Sequence, residues 1–202
     1  MKIKTSRTRV AWTLGAALFA LASASGARAA SPKFYFQVGE VKAGPEVDAT
    51  LKAYAGEALK AELASRPEWA SDVGNVRSSD PEALVAELKR RNLRGFSVTV
   101  RFEHLTKEVK EPTPGARHKR VSLNVKLSVF GTTIPEAKLS FSGDGESGVE
   151  AEVSDKGMDA EVTSMAKDAI KDAVKQAVDQ AVMKLSIGKS GPMNEKHGKK
   201  KK

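Results

Sequence analysis

The sequence of 202 residues predicts an α+β fold, in which a single, mostly antiparallel sheet of four or five strands has one face covered by two or three helices. Two observations predict this fold. Several stretches alternate apolar and polar residues, as half-buried strands do, and other stretches repeat apolar residues every three to four positions, as amphipathic helices do. The predicted order is β-α-α-β-β-β-(β)-α. Because the later strands each show one apolar and one polar face, we expect them to pair antiparallel.

A strand and then a helix are predicted at the start of this order. Residues 33–41 alternate, with Phe34 and Phe36 on one side. The helix is predicted to follow from Glu46 and to end at Pro67, because proline lacks the N–H that a helix interior needs. Its apolar stripe consists of Val47, Leu51, Tyr54, Ala55, Ala58, Leu59 and Leu63.

The second helix is predicted to begin after Asp80, which caps its N-terminus, with Pro81 at the first helical position. It ends in a run of cationic residues before Gly95, where they interact favourably with the helix dipole. The segment between the two helices, residues 69–77, is ambiguous. Trp69 is expected to pack onto the core as a plug, and the segment is also compatible with a short edge strand.

Two further strands are predicted, each with one buried face. Residues 96–105 and 121–130 both alternate apolar and polar side chains, which is typical of an antiparallel sheet with one face in water. A proline-containing loop joins them. Residues 131–135, with the sequence GTTIP, then turn the chain into the stretch 136–141.

The stretch LSFSGDGESGVEAEV, residues 139–153, combines four acidic residues with three glycines. It lacks the spacing of an EF-hand calcium loop. Its apolar residues are all odd-numbered, which predicts a hairpin with a loop of three or five residues centred near positions 145–146. Phe141 should then lie across from Val149 or Ala151. The alternative is one long strand interrupted by glycines.

The last predicted element is a long helix from about Asp159 to Leu185. Its apolar residues repeat nearly every four positions, so the stripe drifts by roughly 40° per repeat at about 100° per residue. A twisted sheet follows such a drift, and a row of small residues beside the stripe allows close approach. That row consists of Ala166, Ala169, Ala173, Ala177 and Ala181.

Both ends of the chain differ in composition from the body. Residues 1–29 have a basic start, an apolar run and an Ala-Arg-Ala site, which predicts a cleaved secretory signal peptide. Residues 30–188 are predicted to form a single α/β domain, and residues 189–202 a disordered basic tail. The net charge of +9 falls to −1 for the body once the +5 of each end is removed. The absence of cysteine excludes disulfides, thiolate metal sites and a lipid-modified cysteine.

No motif in the sequence carries catalytic chemistry. Ser164 and Lys167 match an S-x-x-K pattern, but no S-D-N element accompanies them, and the fragment KSG at 189–191 lies too close in sequence to frame that active site. The phosphate-loop pattern fails because Met183 stands where a glycine is needed. The three histidines, His104, His118 and His197, lack metal-ligand spacing, so neither a metal nor a cofactor is expected.

The order of elements resembles that of small bacterial envelope domains. The stretches that carry this resemblance are KFYFQVGEV with the helix from Glu46, RGFSVTVRF, VSLNVKLSVFG and AIKDAVKQAVDQAV. The chain looks like the TolB amino-terminal, curli-secretion-lipoprotein and penicillin-binding-protein-activator type. The resemblance implies a non-catalytic domain that binds other envelope components. It carries over no site residue, and this chain lacks the cysteine of the lipoproteins among those relatives.

The leading hypothesis is therefore an exported, non-enzymatic domain of a bacterial periplasm or of the outside medium, which binds a protein or polymer partner. Nucleic acid is not expected as that partner, because the body lacks a basic face. One alternative is a hydrolase that uses surface carboxylates such as Asp144 and Glu146.

The other alternative is a binder of anionic polymer or membrane surfaces through the Lys-rich end of the tail. Each lysine near an anionic surface contributes about 1 kcal/mol to such binding. The lysines of this predicted electrostatic tether are Lys196, Lys199, Lys200, Lys201 and Lys202.

Overall fold

The computed structural model describes residues 33–74, 80–111, 113, 115 and 117–187. The elements in chain order are β1 (Phe34–Val38), α1 (Ala49–Ala64), β2 (Trp69–Ala70), α2 (Pro81–Arg90), β3 (Arg94–Lys110), β4 (His118–Ile134), β5 (Leu139–Ser154) and α3 (Met158–Ile187). The predicted α+β class is confirmed. The predicted signal peptide, residues 1–29, and the predicted tail, residues 189–202, lie outside the described residues.

The sheet has five strands in the order β2-β1-β3-β4-β5. β3, β4 and β5 form an antiparallel meander of strands 16 to 17 residues long. β1 pairs in parallel with both β2 and β3. Trp69 therefore fulfils both expectations: it lies in a short edge strand, and its side chain is 5% exposed against the rings of Phe34, Phe36, Phe96 and Phe141.

The main core lies between the sheet and two helices, α1 and α3, which cover the same face. α1 begins after Asp48, whose carboxylate accepts a hydrogen bond of 2.8 Å from the Leu51 N–H. Its buried side chains recur every four residues, as the sequence predicts. Those on α1 are Leu51, Ala55, Leu59 and Leu63; those on α3 are Met165, Ala166, Ala169, Ile170, Ala173, Val174, Ala177, Val178 and Ala181.

α2 packs on the opposite face of the sheet, at one end. Tyr35 points away from Phe34 and Phe36 along β1 and joins a second apolar cluster with Leu84 and Leu88 of α2. The predicted cap is present, since the Asp80 carboxylate accepts from the Ala83 N–H at 3.1 Å. The face that α1 and α3 leave uncovered is thus partly covered by α2.

The hairpin predicted within residues 139–153 is wrong, because β5 is one uninterrupted strand. Phe141 lies across from Gly131 of β4 and not across from Val149 or Ala151. A hairpin with a loop of odd length places the odd-numbered apolar residues of both arms on one face. A single strand also points every second residue to one face, so it produces the same pattern. Leu139 also departs from the prediction: a bulge beside it leaves its side chain 65% exposed.

Two glycines of β5 lie directly beneath α3. A Cβ placed on Gly143 would overlap the carbonyl oxygen of Ala177, and one placed on Gly145 would overlap that of Ala173. These glycines therefore act as contact residues that let a helix approach the strand, and they do not mark a turn.

The spacing of the four-residue repeat along α3 matches the spacing of every second residue along β5. Two strand residues advance by about 6.6–6.8 Å, and four helical residues advance by about 6 Å. Each step from Gly143 to Gly145 thus corresponds to a step from Ala177 back to Ala173, with the helix antiparallel to the strand. The close packing of the Ala row that the sequence predicts is confirmed.

Replacement of Gly145 by alanine should destabilise the fold by about 1–3 kcal/mol or more, because the new methyl group meets helix backbone that has no room to move. Urea unfolding of residues 30–202, followed by fluorescence, measures this directly, since Trp69 is the only tryptophan in that stretch. Gly148→Ala is the matched control: its nearest neighbour would be the Leu123 carbonyl oxygen at 3.6 Å. We expect a change within about 0.5 kcal/mol there. Equal stability of the two variants would contradict the assigned contact.

Candidate binding surface

Many polar side chains lie on the face of β3, β4 and β5 opposite α1 and α3, here called the outer face. Along each strand, alternate residues point toward it. Its polar members include Arg101, Glu103, His104, Thr106, Glu108 and Lys110 of β3, Arg120, Ser122, Asn124, Lys126 and Ser128 of β4, and Asp144, Glu146, Glu150 and Glu152 of β5.

Ser128 is at the centre of a hydrogen-bonded network on the outer face. Its side chain is 5% exposed, and its hydroxyl lies 2.7 Å from Asp144 Oδ1 and 3.2 Å from Glu103 Oε1. Because a hydroxyl carries one proton, Ser128 donates to one of these carboxylates at a time. A β-bulge after Phe102 turns Glu103 toward Ser128.

Arg101 completes this network. Its Nε lies 2.8 Å from Glu103 Oε1, and its guanidinium carbon lies 4.8 Å from the centre of the Phe130 ring. The hydrogen bond from Arg101 lowers the pKa of Glu103, burial opposes that shift, and the bond from Ser128 adds to the lowering. The hydrogen bonds of this network therefore favour the carboxylate form of Glu103.

The carboxylates of the acidic glycine stretch point into solvent from the outer face. Glu146 accepts a hydrogen bond of 3.3 Å from the Asn124 amide, and Glu150 lies 3.3 Å from Arg120. Asp144 and Glu146, the pair considered for hydrolysis, are both exposed. Within the described residues, no three His, Asp or Glu side chains are close enough together to hold a metal ion.

A shallow, open depression of about 390 Å³ lies in the outer face. Gly148 contributes no side chain there, and the surrounding groups are two hydroxyls, one amide and two carboxylates. They belong to Thr106, Ser122, Asn124, Glu108 and Glu150. These groups offer both hydrogen-bond donors and acceptors to a ligand. The Ser122 hydroxyl lies 3.4 Å from Glu150.

Two glutamines of α3 bind the open edge of β5. The Asp144 N–H donates to Gln180 Oε1 at 3.2 Å, and the Glu146 N–H donates to Gln176 Oε1 at 3.5 Å. Sequence reasoning missed these contacts. The available signal was the position of both glutamines, four residues apart on the helix column beside the Ala row.

The other described residues considered for catalysis or metal binding make no hydrogen bond within the Ser128 network, although His104 contributes electrostatically to the lowered pKa of Glu103. His197 and the fragment at 189–191 lie outside the described residues. Ser164 is exposed on α3, and the Lys167 ammonium lies 5.5 Å from the ring centre of Tyr54, so the S-x-x-K match forms no acyl-transfer site. His104 and His118 are exposed on β3 and β4.

The predicted electrostatic tether in the tail lies outside the described residues. This applies to each of its lysines, which are Lys196, Lys199, Lys200, Lys201 and Lys202. The geometry of the outer face therefore neither supports nor opposes the tether, and its role stays a prediction.

A separate groove of about 240 Å³, largely apolar, lies between α2 and the turn after β4. Val85 and Leu88 form one wall, and Ile134 and Pro135 form the other. None of the described helices is long and apolar enough to span a membrane.

No protein-family model and no curated protein sequence matches the chain. Among solved structures, a Helicobacter pylori protein described as a neuraminyllactose-binding hemagglutinin homolog is 10% identical, with a TM-score of 0.41 over 81% of this chain and 89% of that one. A lipoprotein of Neisseria meningitidis is 13% identical, with a TM-score of 0.39 over 69% and 98%. A minor lipoprotein of Acinetobacter baumannii is 8% identical, with a TM-score of 0.37 over 80% and 99%. At these scores the likeness assigns neither a family nor a function.

Replacement of Ser128 by alanine should raise the pKa of Glu103 toward its ordinary value, because one hydrogen bond to the carboxylate is lost. We expect a loss of about 0.5–1.5 kcal/mol in stability. Carboxyl-carbon NMR titration of Glu103 measures the pKa shift. Ser122→Ala is the control, since its exposed hydroxyl lies 3.4 Å from Glu150 and makes no contact with Glu103. An unchanged Glu103 titration in Ser128→Ala would contradict the network.

Proposed function

We propose that the chain is an exported, non-enzymatic domain of the bacterial envelope, periplasmic or secreted, and that it binds a protein or polymer partner through the outer face. The observation that carries this proposal is the prearranged polar network of that face. Arg101, Glu103, Ser128 and Asp144 are already held by one another before any partner arrives. Side chains fixed in this way lose less conformational entropy on binding.

The chemistry of the outer face also supports binding over catalysis. Ser128 is flanked by two carboxylates, but the hydrogen-bonding partners of its hydroxyl include no histidine or lysine that could activate it as a nucleophile. The carboxylates of Asp144 and Glu146 are exposed on β5 and accept hydrogen bonds from Ser128 and Asn124, which suits the binding of a partner.

The test uses residues 30–202 as bait for envelope extract, followed by binding measurements with the purified partner. Thr106→Arg places a bulky cation in the depression of the outer face and should weaken that binding by about tenfold or more. Lys175→Glu, on the exposed side of α3, is the control and should bind like the wild type.

Two results would count against this proposal: a partner that binds Thr106→Arg as tightly as the wild type, or a hydrolytic activity that Asp144→Asn removes. The second result would favour the carboxylate hydrolase.

A tether through the Lys-rich tail is a second candidate function. The observation that favours it is the uneven charge, since residues 189–202 carry +5 while the body carries −1. Deletion of 189–202 should therefore greatly reduce sedimentation with phosphatidylglycerol vesicles at low salt, and added salt should have the same effect on the full chain. Vesicles of phosphatidylcholine are the neutral control. Unchanged sedimentation after the deletion would exclude the tether.

A further inference from the structure

β5 is an edge strand of the sheet. It pairs with β4 along one side, and no strand of the described part pairs with its other side. An edge strand of 16 residues presents a long row of backbone groups to any extended chain.

The direction of each backbone group follows from the pairing register. From His118↔Ser154 to Gly131↔Phe141 the register with β4 is constant. Because Asp144 and Glu146 donate their N–H groups to α3, the even-numbered residues of β5 direct their backbone away from β4. The same therefore holds for residues 148, 150 and 152.

The edge is divided into an occupied and an open part. Gln180 and Gln176 occupy the N–H groups of Asp144 and Glu146. Within the described part of the chain, the N–H groups of residues 148, 150 and 152 have no hydrogen-bond acceptor. Residues 148–152 can therefore accept an added strand of about five residues, or roughly 17 Å.

Carboxylates flank this open edge on both sides. Glu150 and Glu152 project from the outer face, and Arg120 partly offsets their charge at 3.3 and 3.7 Å. On the other side, the helix column that holds the two glutamines continues with Asp172 and Asp168, which are both exposed. A strand that adds here would lie between two acidic rows.

This charge decides between possible occupants. A second copy of β5, paired antiparallel across a two-fold axis, would set glutamates of one copy against glutamates of the other, and like charges directly opposite are destabilising. An extended segment with lysine or arginine at alternate positions would instead pair its backbone with the edge and its cations with the carboxylates.

We propose that residues 148–152 of β5 bind an extended basic segment of a partner protein by strand addition. This inference rests on the proposed binding function and specifies a site and a partner chemistry for it.

The test uses the protein spanning residues 30–202 and a fluorescent, end-capped heptapeptide of alternating lysine and threonine. Fluorescence anisotropy measures its dissociation constant. A peptide of the same sequence, N-methylated at the residues that face the edge, keeps the charge but loses the donors for strand pairing. It should bind at least about tenfold more weakly. A glutamate–threonine peptide should not bind.

Protein variants separate the backbone contribution from the charge contribution. Glu150→Gln removes one carboxylate and should weaken binding about two- to fivefold. Glu150→Pro removes the open N–H as well, at a position where an edge strand tolerates proline, and should weaken binding by a further tenfold or so. Glu57→Gln, an equal charge change on the exposed side of α1, should bind like the wild type.

Equal binding of the plain and N-methylated peptides would overturn strand addition, and this comparison needs no protein variant that must fold. Equal affinity of Glu150→Gln and Glu150→Pro for the basic peptide would also overturn strand addition. Binding of a partner's segment would likewise be overturned if the basic peptide bound only after deletion of residues 189–202, because the tail of the chain would then occupy the edge. If the peptide fails while envelope capture still depends on Thr106, this inference fails and the proposed function stands.

Discussion

The contact between α3 and β5 is the constraint on which the rest of the structure depends. Gly143 and Gly145 bring the strand backbone directly against the carbonyl groups of Ala177 and Ala173. At this distance the helix has no freedom to rotate about its own axis. Its larger side chains must therefore point over β4 and toward α1, and an ion pair of 2.6 Å joins Asp179 of α3 to Arg66, just after the end of α1. One small-residue contact thus fixes the orientation of both helices on this face.

The same contact determines what the other surfaces present. Because α1 and α3 bury one face of the meander, and α2 covers only the end near Tyr35, the polar side chains of β3, β4 and β5 remain on the outer face. The bulge at Glu103 places an additional residue on the outer face, and its carboxylate lies beside Ser128. A regular strand would not have placed this polar group there. The network of the outer face results from this local irregularity and from the burial of the opposite face.

Elements with a strong local pattern could be predicted from the sequence, and relations between distant elements could not. The periodicity of α3 and the cap at Asp80 are encoded in neighbouring residues, and both are confirmed. The role of the β5 glycines does not follow from the sequence, because glycine serves both turns and close contacts, and only the position of α3 distinguishes the two roles. Likewise, the contacts of Gln176 and Gln180 join residues 30 or more positions apart.

The side chains around the edge of β5 limit its pairing with other edge strands and also determine which partner it can accept. An uncovered edge strand of this length would associate with other edges, and the protein limits this in two ways. Amide side chains from α3 occupy the N–H groups of Asp144 and Glu146, beside the two glycines that the helix contacts. Beyond that part, acidic side chains on both flanks replace the amides. Carboxylates leave the backbone donors accessible, but they repel a second copy of the same edge and attract a cationic one. Carboxylates therefore protect the β5 edge only against partners that are not cationic, whereas the hydrogen bonds from the glutamines block the edge to every partner.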